Sequence, residues 1–289
     1  MHDKIKQWFK FFEYIGNIYA ARYMYPVWNA YPKYYEDIWD SLCIFLEGYA
    51  FERQGASPNY HHAAIDSLLK YKKINEQLKS NEAPKKIWEN FCKILNNDKL
   101  NKLRNPLLFS NSEKSPYSVI TIAKTFNKQT FSEYFATKIK NDKIKDAHNK
   151  LKEIRGVSDK IASFYLRDLV CIKQIDLSKI NNNRDLLQPI DTWVKETCKD
   201  LFNNNNIKKT QLAECITKIS LKFEINPEKV NMGMWFFGSN IVESKYRLKT
   251  LLKSHPDNND YTCEAKKLLM QYIDTIKEIC QFNVNDINN

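Results

Sequence analysis

The 289 residues are 43% hydrophobic and 13% aromatic, enough for a buried core in one large domain or in two smaller lobes sharing a cleft. Lys and Arg number 45 against 34 acidic residues, and this net charge of +11 favours a polyanionic partner, nucleic acid first and an anionic membrane surface second. The seven cysteines (43, 92, 171, 198, 215, 263 and 280) are scattered without a Cys-x-x-Cys, which argues against a disulfide framework or a zinc site.

His61, His62, His148 and His255 have no ligand-like spacing, so no structural metal is expected. Charges interrupt every apolar run of Met1–Phe12, and no stretch approaches a membrane span or a signal peptide. The expected setting is the cytoplasm.

In chain order, Trp8, Phe12, Ile15, Ile18 and Tyr19 recur at helical spacing and predict an amphipathic helix over 3–23. The aromatic stretch 25–35, with two prolines, reads as a loop that ends it. A strongly apolar helix follows over 36–54 and runs into a Gly/Ser/Pro turn before Tyr60. Helices are expected over 61–80 and 85–97, then a turn-rich loop over 96–116. The β-branched run in Ser118–Phe126 suits a strand in isolation, but no partner strand is evident. Helical patterns resume over 132–138, 143–154, 193–202, 210–223, 230–240 and 262–280, ahead of an Asn-rich tail. There is no internal repeat, and the pattern predicts an all-α fold.

One stretch, 151–195, organises the rest. Leu151 and Ile154 close one apolar stripe, Arg155-Gly156-Val157 breaks it, and Ser158 is positioned to cap a new helix carrying Ile161, Ala162, Phe164, Tyr165 and Leu169. Gly156 permits a sharp turn, and amides at the start of the new helix form a natural phosphate site. Downstream, Asp191 follows Pro189 and opens a further helix as its N-cap.

The run Ile154-Arg-Gly-Val-Ser-Asp-Lys160-Ile-Ala, with Pro189-Ile-Asp191-Thr-Trp-Val downstream, resembles the signature of the helix–hairpin–helix DNA glycosylases. Within that superfamily it is most similar to the archaeal-type 8-oxoguanine glycosylases with AP lyase activity. Two positions depart from the pattern: Ser158 replaces the second hairpin glycine, and Trp193 replaces the histidine two residues after the aspartate. The match covers some forty-five residues, 151–195.

The resemblance implies two α-helical lobes with double-stranded DNA across their cleft. Residues 65–190 would form a central lobe carrying the hairpin at 151–169, and 1–64 with 191–289 the other. Lys160 would be the nucleophile and Asp191 the carboxylate that stabilises positive charge on the sugar and helps deprotonate Lys160. The target base flips out of the duplex, Lys160 attacks C1′, and the Schiff base permits β-elimination of the 3′ strand. Gly156, Val157 and Ser158 would hold the backbone phosphate through their amides, with Lys152 and Arg155 adding charge. By the same resemblance Gln54 faces the extruded base, and Trp235 and Phe236 sandwich it. No redox or nucleotide cofactor is implied, an alkali cation at the hairpin carbonyls is compatible, and the cysteine spacing excludes the iron–sulfur cluster of some relatives. A monomer, nucleoid-associated, fits this reading.

Two other readings stay open. The same chemistry would serve against a modified base in invading phage DNA. A non-catalytic module would use the hairpin only to grip DNA.

Overall fold

The structure is a computed structural model that describes residues 2–51, 58–75, 78, 80–95, 105–110, 114–180, 182–253 and 260–286, with side chains to residue 277. Among the described residues it is all-helical, with no strand and a single isolated bridge between Tyr117 and Ile154. The helices are α1 (His2–Tyr19), α2 (Tyr25–Asn29), α3 (Ile38–Phe45), α4 (Pro58–Ile74), α5 (Ala83–Leu95), α6 (Val119–Ala123) and α7 (Phe131–Lys140). They continue as α8 (Ile144–Lys152), α9 (Asp159–Ile172), α10 (Thr192–Phe202), α11 (Lys209–Lys222), α12 (Pro227–Phe236), α13 (Lys245–Lys253) and α14 (Cys263–Asp286). Three π-helical segments, Ala20–Met24, Leu46–Phe51 and Phe237–Val242, extend α1, α3 and α12. Among the described residues no helix is long and apolar enough to cross a membrane.

The chain divides into two compact units, Met1–Ala20 with Ile190–Asn289, and Ala21–Pro189. The first is built on α1 against α12. A methyl group at Gly233 would lie 1.8 Å from the Phe12 carbonyl oxygen, and one at Gly16 would lie 2.3 Å from that of Lys229. The two helices therefore touch backbone to backbone, which only glycine permits. Around this crossing Trp8 stacks on Phe12 at 5.5 Å and Phe11 meets Phe237 edge-on at 5.3 Å. Each such ring contributes about 1.5–3 kcal/mol when fully buried. Asn226 caps α12 by accepting from Lys229 N at 2.9 Å, and its own amide donates to Glu13 Oε1 at 2.7 Å. These contacts hold the N-terminal helix to the last third of the chain.

In the second unit the centre is Tyr165 of α9. Its ring meets Phe45 and Tyr49 edge-on, each at 5.2 Å, and stacks on Trp28 at 6.1 Å. Its hydroxyl lies 3.1 Å from Ser132 Oγ, and Ser132 N donates to Ser41 Oγ at 2.7 Å. This buried network ties α3, α7 and α9 together, and so fixes the helix that carries Lys160.

Several expectations are corrected. Residues 21–51, and the described residues up to 64, belong to the second unit and not to that of 191–289, and Trp28, Phe45 and Tyr49 surround Tyr165 there. The first helix does not end at a loop: it passes through the π segment into α2, whose first turn tolerates Pro26. Residues 119–123, whose β-branched run suits a strand only in isolation, are helical, and Ser118 caps them by accepting from Thr121 N at 3.1 Å.

Candidate active site

The turn between α8 and α9 is held from three sides. Val157 N donates to Ile154 O at 3.1 Å, closing the turn locally. Tyr117 N donates to Glu153 O, and Arg155 N to Tyr117 O, both at 2.8 Å, so the turn is also paired with the segment before α6. Ile154 and Val157 are buried beneath it. Gly156 sits at φ 78°, in the left-handed region that disfavours any side chain. Ser158 then caps α9: its hydroxyl accepts from Ile161 N at 3.5 Å, and its carbonyl accepts the first intrahelical bond, from Ala162 N at 3.0 Å. The amides ahead of Ile161 belong to the helix start, where no intrahelical acceptor exists.

Lys160 lies in this first turn, half-buried, and among the described residues no hydrogen bond or ion pair engages its ammonium. Lys152, expected to add charge beside the phosphate site, pairs with Asp159 at 2.7 Å. That ion pair holds the Asp159 carboxyl below the usual carboxylate range. Arg155 Nη2 donates to Pro116 O at 3.2 Å, while its Nε is buried without a partner among the described residues.

Asp191 caps α10 by accepting from Val194 N at 2.8 Å, and is half-buried. Lys160 belongs to one unit and Asp191 to the other. Trp193 is half-buried in the first unit, where a methyl at Gly238 would come within 2.8 Å of its ring. Trp235 is half-buried and meets Tyr19 edge-on at 5.6 Å. Phe236 is fully buried and packs edge-on against Tyr272 at 5.8 Å, a core position. Gln54 lies outside the described residues.

Two features went unread in the sequence. His148 on α8 is 3% exposed, with Nε2 3.2 Å from Asp159 O and 3.3 Å from Ser163 Oγ, so it pins α8 to the start of α9. Desolvation pushes its imidazole below the ordinary value. Arg167 and Asp168 form a fully buried ion pair at 2.8 Å. The signal for that pair was available: two adjacent charges within the apolar helix that follows the hairpin.

Burial pushes the Cys43 thiol up to about 12 and raises that of Cys198, so neither offers a thiolate near neutral pH. Among the described residues no group of three or more His, Cys, Asp or Glu could hold a metal ion.

Comparison with known proteins gives little beyond this geometry. The chain is similar to a protein of Methanocaldococcus jannaschii named "Uncharacterized protein MJECL21", 29% identical over 83% of this chain and 68% of that one. No family model matches the chain, and no solved structure matches it.

Proposed function

We propose that this chain is a DNA glycosylase with AP lyase activity that excises a damaged or modified base, 8-oxoguanine by resemblance, through a Schiff base on Lys160. The observation that carries the reading is the setting of Lys160: the first turn of a capped helix, behind a glycine at φ 78°, with an ammonium that pairs with none of the described residues. A lysine amine that no internal partner holds in place is sterically open to an incoming sugar carbon.

In this reading α8, the turn and α9 act as the helix–hairpin–helix, with the start of α9 at Ser158 facing a phosphate; the Val157 amide, expected to join it, is instead taken by Ile154 O at 3.1 Å. Lys152 and Arg155 add positive charge there. Asp191, rigid at its cap, supplies the carboxylate that assists base departure, and Trp235 is the aromatic that remains accessible for stacking. The protein works as a monomer on duplex DNA in the cytoplasm, without a redox or nucleotide cofactor. The test is single-turnover base release from duplexes carrying 8-oxoguanine, uracil, hypoxanthine, thymine glycol or glucosylated hydroxymethylcytosine. Release from one duplex, lost in both Lys160→Ala and Asp191→Asn, supports the reading; no release from any, with equal salt-dependent binding to all, contradicts it in favour of a binding module.

A further inference from the structure

Helix α13 of the first unit packs against α10 and turns three leucines inward, Leu248, Leu251 and Leu252, all of them buried. Every other residue of the helix is exposed. At about 100° per residue those six fill the remaining face, with Tyr246, Lys249, Thr250 and Lys253 at its centre and Lys245 and Arg247 at its two edges. The outward face thus carries four cations, one aromatic ring and no carboxylate.

Lys245, Lys249 and Lys253 follow one another four residues apart, and like charges at this spacing destabilise a helix. Elsewhere in the chain the same spacing pairs lysine with glutamate, Glu82 with Lys86 at 2.7 Å and Glu214 with Lys218 at 3.5 Å. Among the described residues no ion pair relieves the cations of α13. Glu243, the nearest carboxylate in sequence, stands exposed before the Ser244 cap, and Glu196 of the neighbouring α10 is held by Lys199 at 3.5 Å. The positive face continues onto α1, since burial first and the Lys253 charge second hold the Lys4 ammonium below its ordinary range. A helix that keeps such repulsion is arranged for an anion supplied from outside.

Tyr246 narrows the choice of anion. Its side chain is 82% exposed, and among the described residues its ring meets no other ring. A ring standing in water between cations offers a flat face to a nucleobase, and such stacking tolerates any base. Bases inside a duplex already have their faces covered, so the ring favours unpaired nucleotides. An anionic membrane fits less well, because a helix lying on lipid buries an apolar face there, and the leucines of α13 face the core instead. We propose that the outward face of α13 binds an unpaired strand of nucleic acid, with Lys245, Arg247, Lys249 and Lys253 taking its phosphates and Tyr246 stacking on a base. The proposal goes beyond the glycosylase reading and stands without it, because it involves neither Lys160 nor Asp191.

The test is anisotropy titration of the full chain with a lesion-free oligothymidylate of about 12 residues and with its matched duplex, beside sedimentation with phosphatidylserine vesicles. The expected result is saturable, salt-dependent binding of the single strand. Tyr246→Ala should weaken the single strand about tenfold and the duplex less than about twofold. Lys249→Gln should make the logarithmic salt dependence of single-strand binding shallower by about 0.7. Both side chains are exposed, and an unchanged melting temperature shows that the variants fold. No saturable binding of the single strand, unchanged affinity in Tyr246→Ala, or an equal loss on the duplex would overturn the proposal. Vesicle binding that falls in the variants while oligothymidylate binding does not would overturn it in favour of a membrane. The oligonucleotides carry no lesion and trapping at Lys160 is read on other duplexes, so failure of the lyase and failure of this surface are told apart.

Discussion

The Lys152 ammonium lies 2.7 Å from the Asp159 carboxylate, across the turn that joins α8 to α9. Lys152 side-chain exposure is 39% and that of Asp159 is 76%, so the pair braces the turn from its wet side. An exposed pair contributes about 0.2–1 kcal/mol. Asp159→Asn should therefore barely change the melting temperature. It should raise affinity for duplex DNA and steepen the salt dependence by about one released counterion, because Lys152 becomes free for phosphate. Anisotropy titrations over a salt series check this; weaker binding in the variant would contradict a phosphate site at the turn.

His148 gives the fold a pH dependence. Burial first, opposed by its bond to Asp159 O, depresses the folded imidazole below its ordinary value of about 6.5. The unfolded chain thus takes up its proton at higher pH than the folded one. The stabilisation is present above about pH 6.5 and is lost as pH falls through the window beneath it. Urea midpoints should decline from about pH 7.5 to about pH 5.5, and less steeply in His148→Gln. An identical slope in the variant would remove His148 from the explanation.

The glycines of the α1–α12 crossing are expected to be far less tolerant than Gly156. Gly233→Ala drives a methyl to 1.8 Å from the Phe12 carbonyl, which backbone cannot relieve cheaply, so a loss above about 4 kcal/mol or failure to fold is expected. Gly156→Ala carries the strain of a φ of 78° and should cost about 1–2 kcal/mol. Thermal or urea denaturation of the two variants gives the comparison directly.

Trp193 and Gly238 should be energetically coupled. A methyl at Gly238 approaches the Trp193 ring to 2.8 Å, so Gly238→Ala is expected to destabilise. Trp193→His alone leaves a void beside Gly238, costing about 2–4 kcal/mol. In combination the new methyl occupies part of that void, and the double variant should be more stable than the sum of the single losses by about 0.5–2 kcal/mol. Strict additivity in a double-mutant cycle would deny the contact.

Periodicity carried most of the helical fold, because stripes such as Trp8, Phe12 and Ile15 must face a core. It could not assign Ala21–Asn29 to its neighbours: a π segment shifts the register by one residue and blurs the 3.6 pattern. The helix 119–123 was masked by its β-branched run, and Ser118 was the better guide. Residues 245–253 form a helix that the polar sequence around Lys245, Arg247 and Lys249 hid, although Leu248, Leu251 and Leu252 are buried at helical spacing. At the candidate site, the caps made by Ser158 and Asp191 were legible from residue type and position. The Lys152–Asp159 pair was not, because a lysine in a basic chain does not announce which anion it will meet. Phe236 could not be told from its neighbour Trp235 either, since sequence spacing does not say which aromatic turns inward.

The central claim is covalent chemistry at Lys160, and borohydride trapping on lesion-bearing duplexes tests it most directly. A protein–DNA adduct on one lesion duplex, absent in Lys160→Ala and retaining the lysine as the modified residue on peptide mapping, is the expected result. If no duplex in the panel yields an adduct, or if the adduct forms equally well in Lys160→Ala, Lys160 is not the nucleophile.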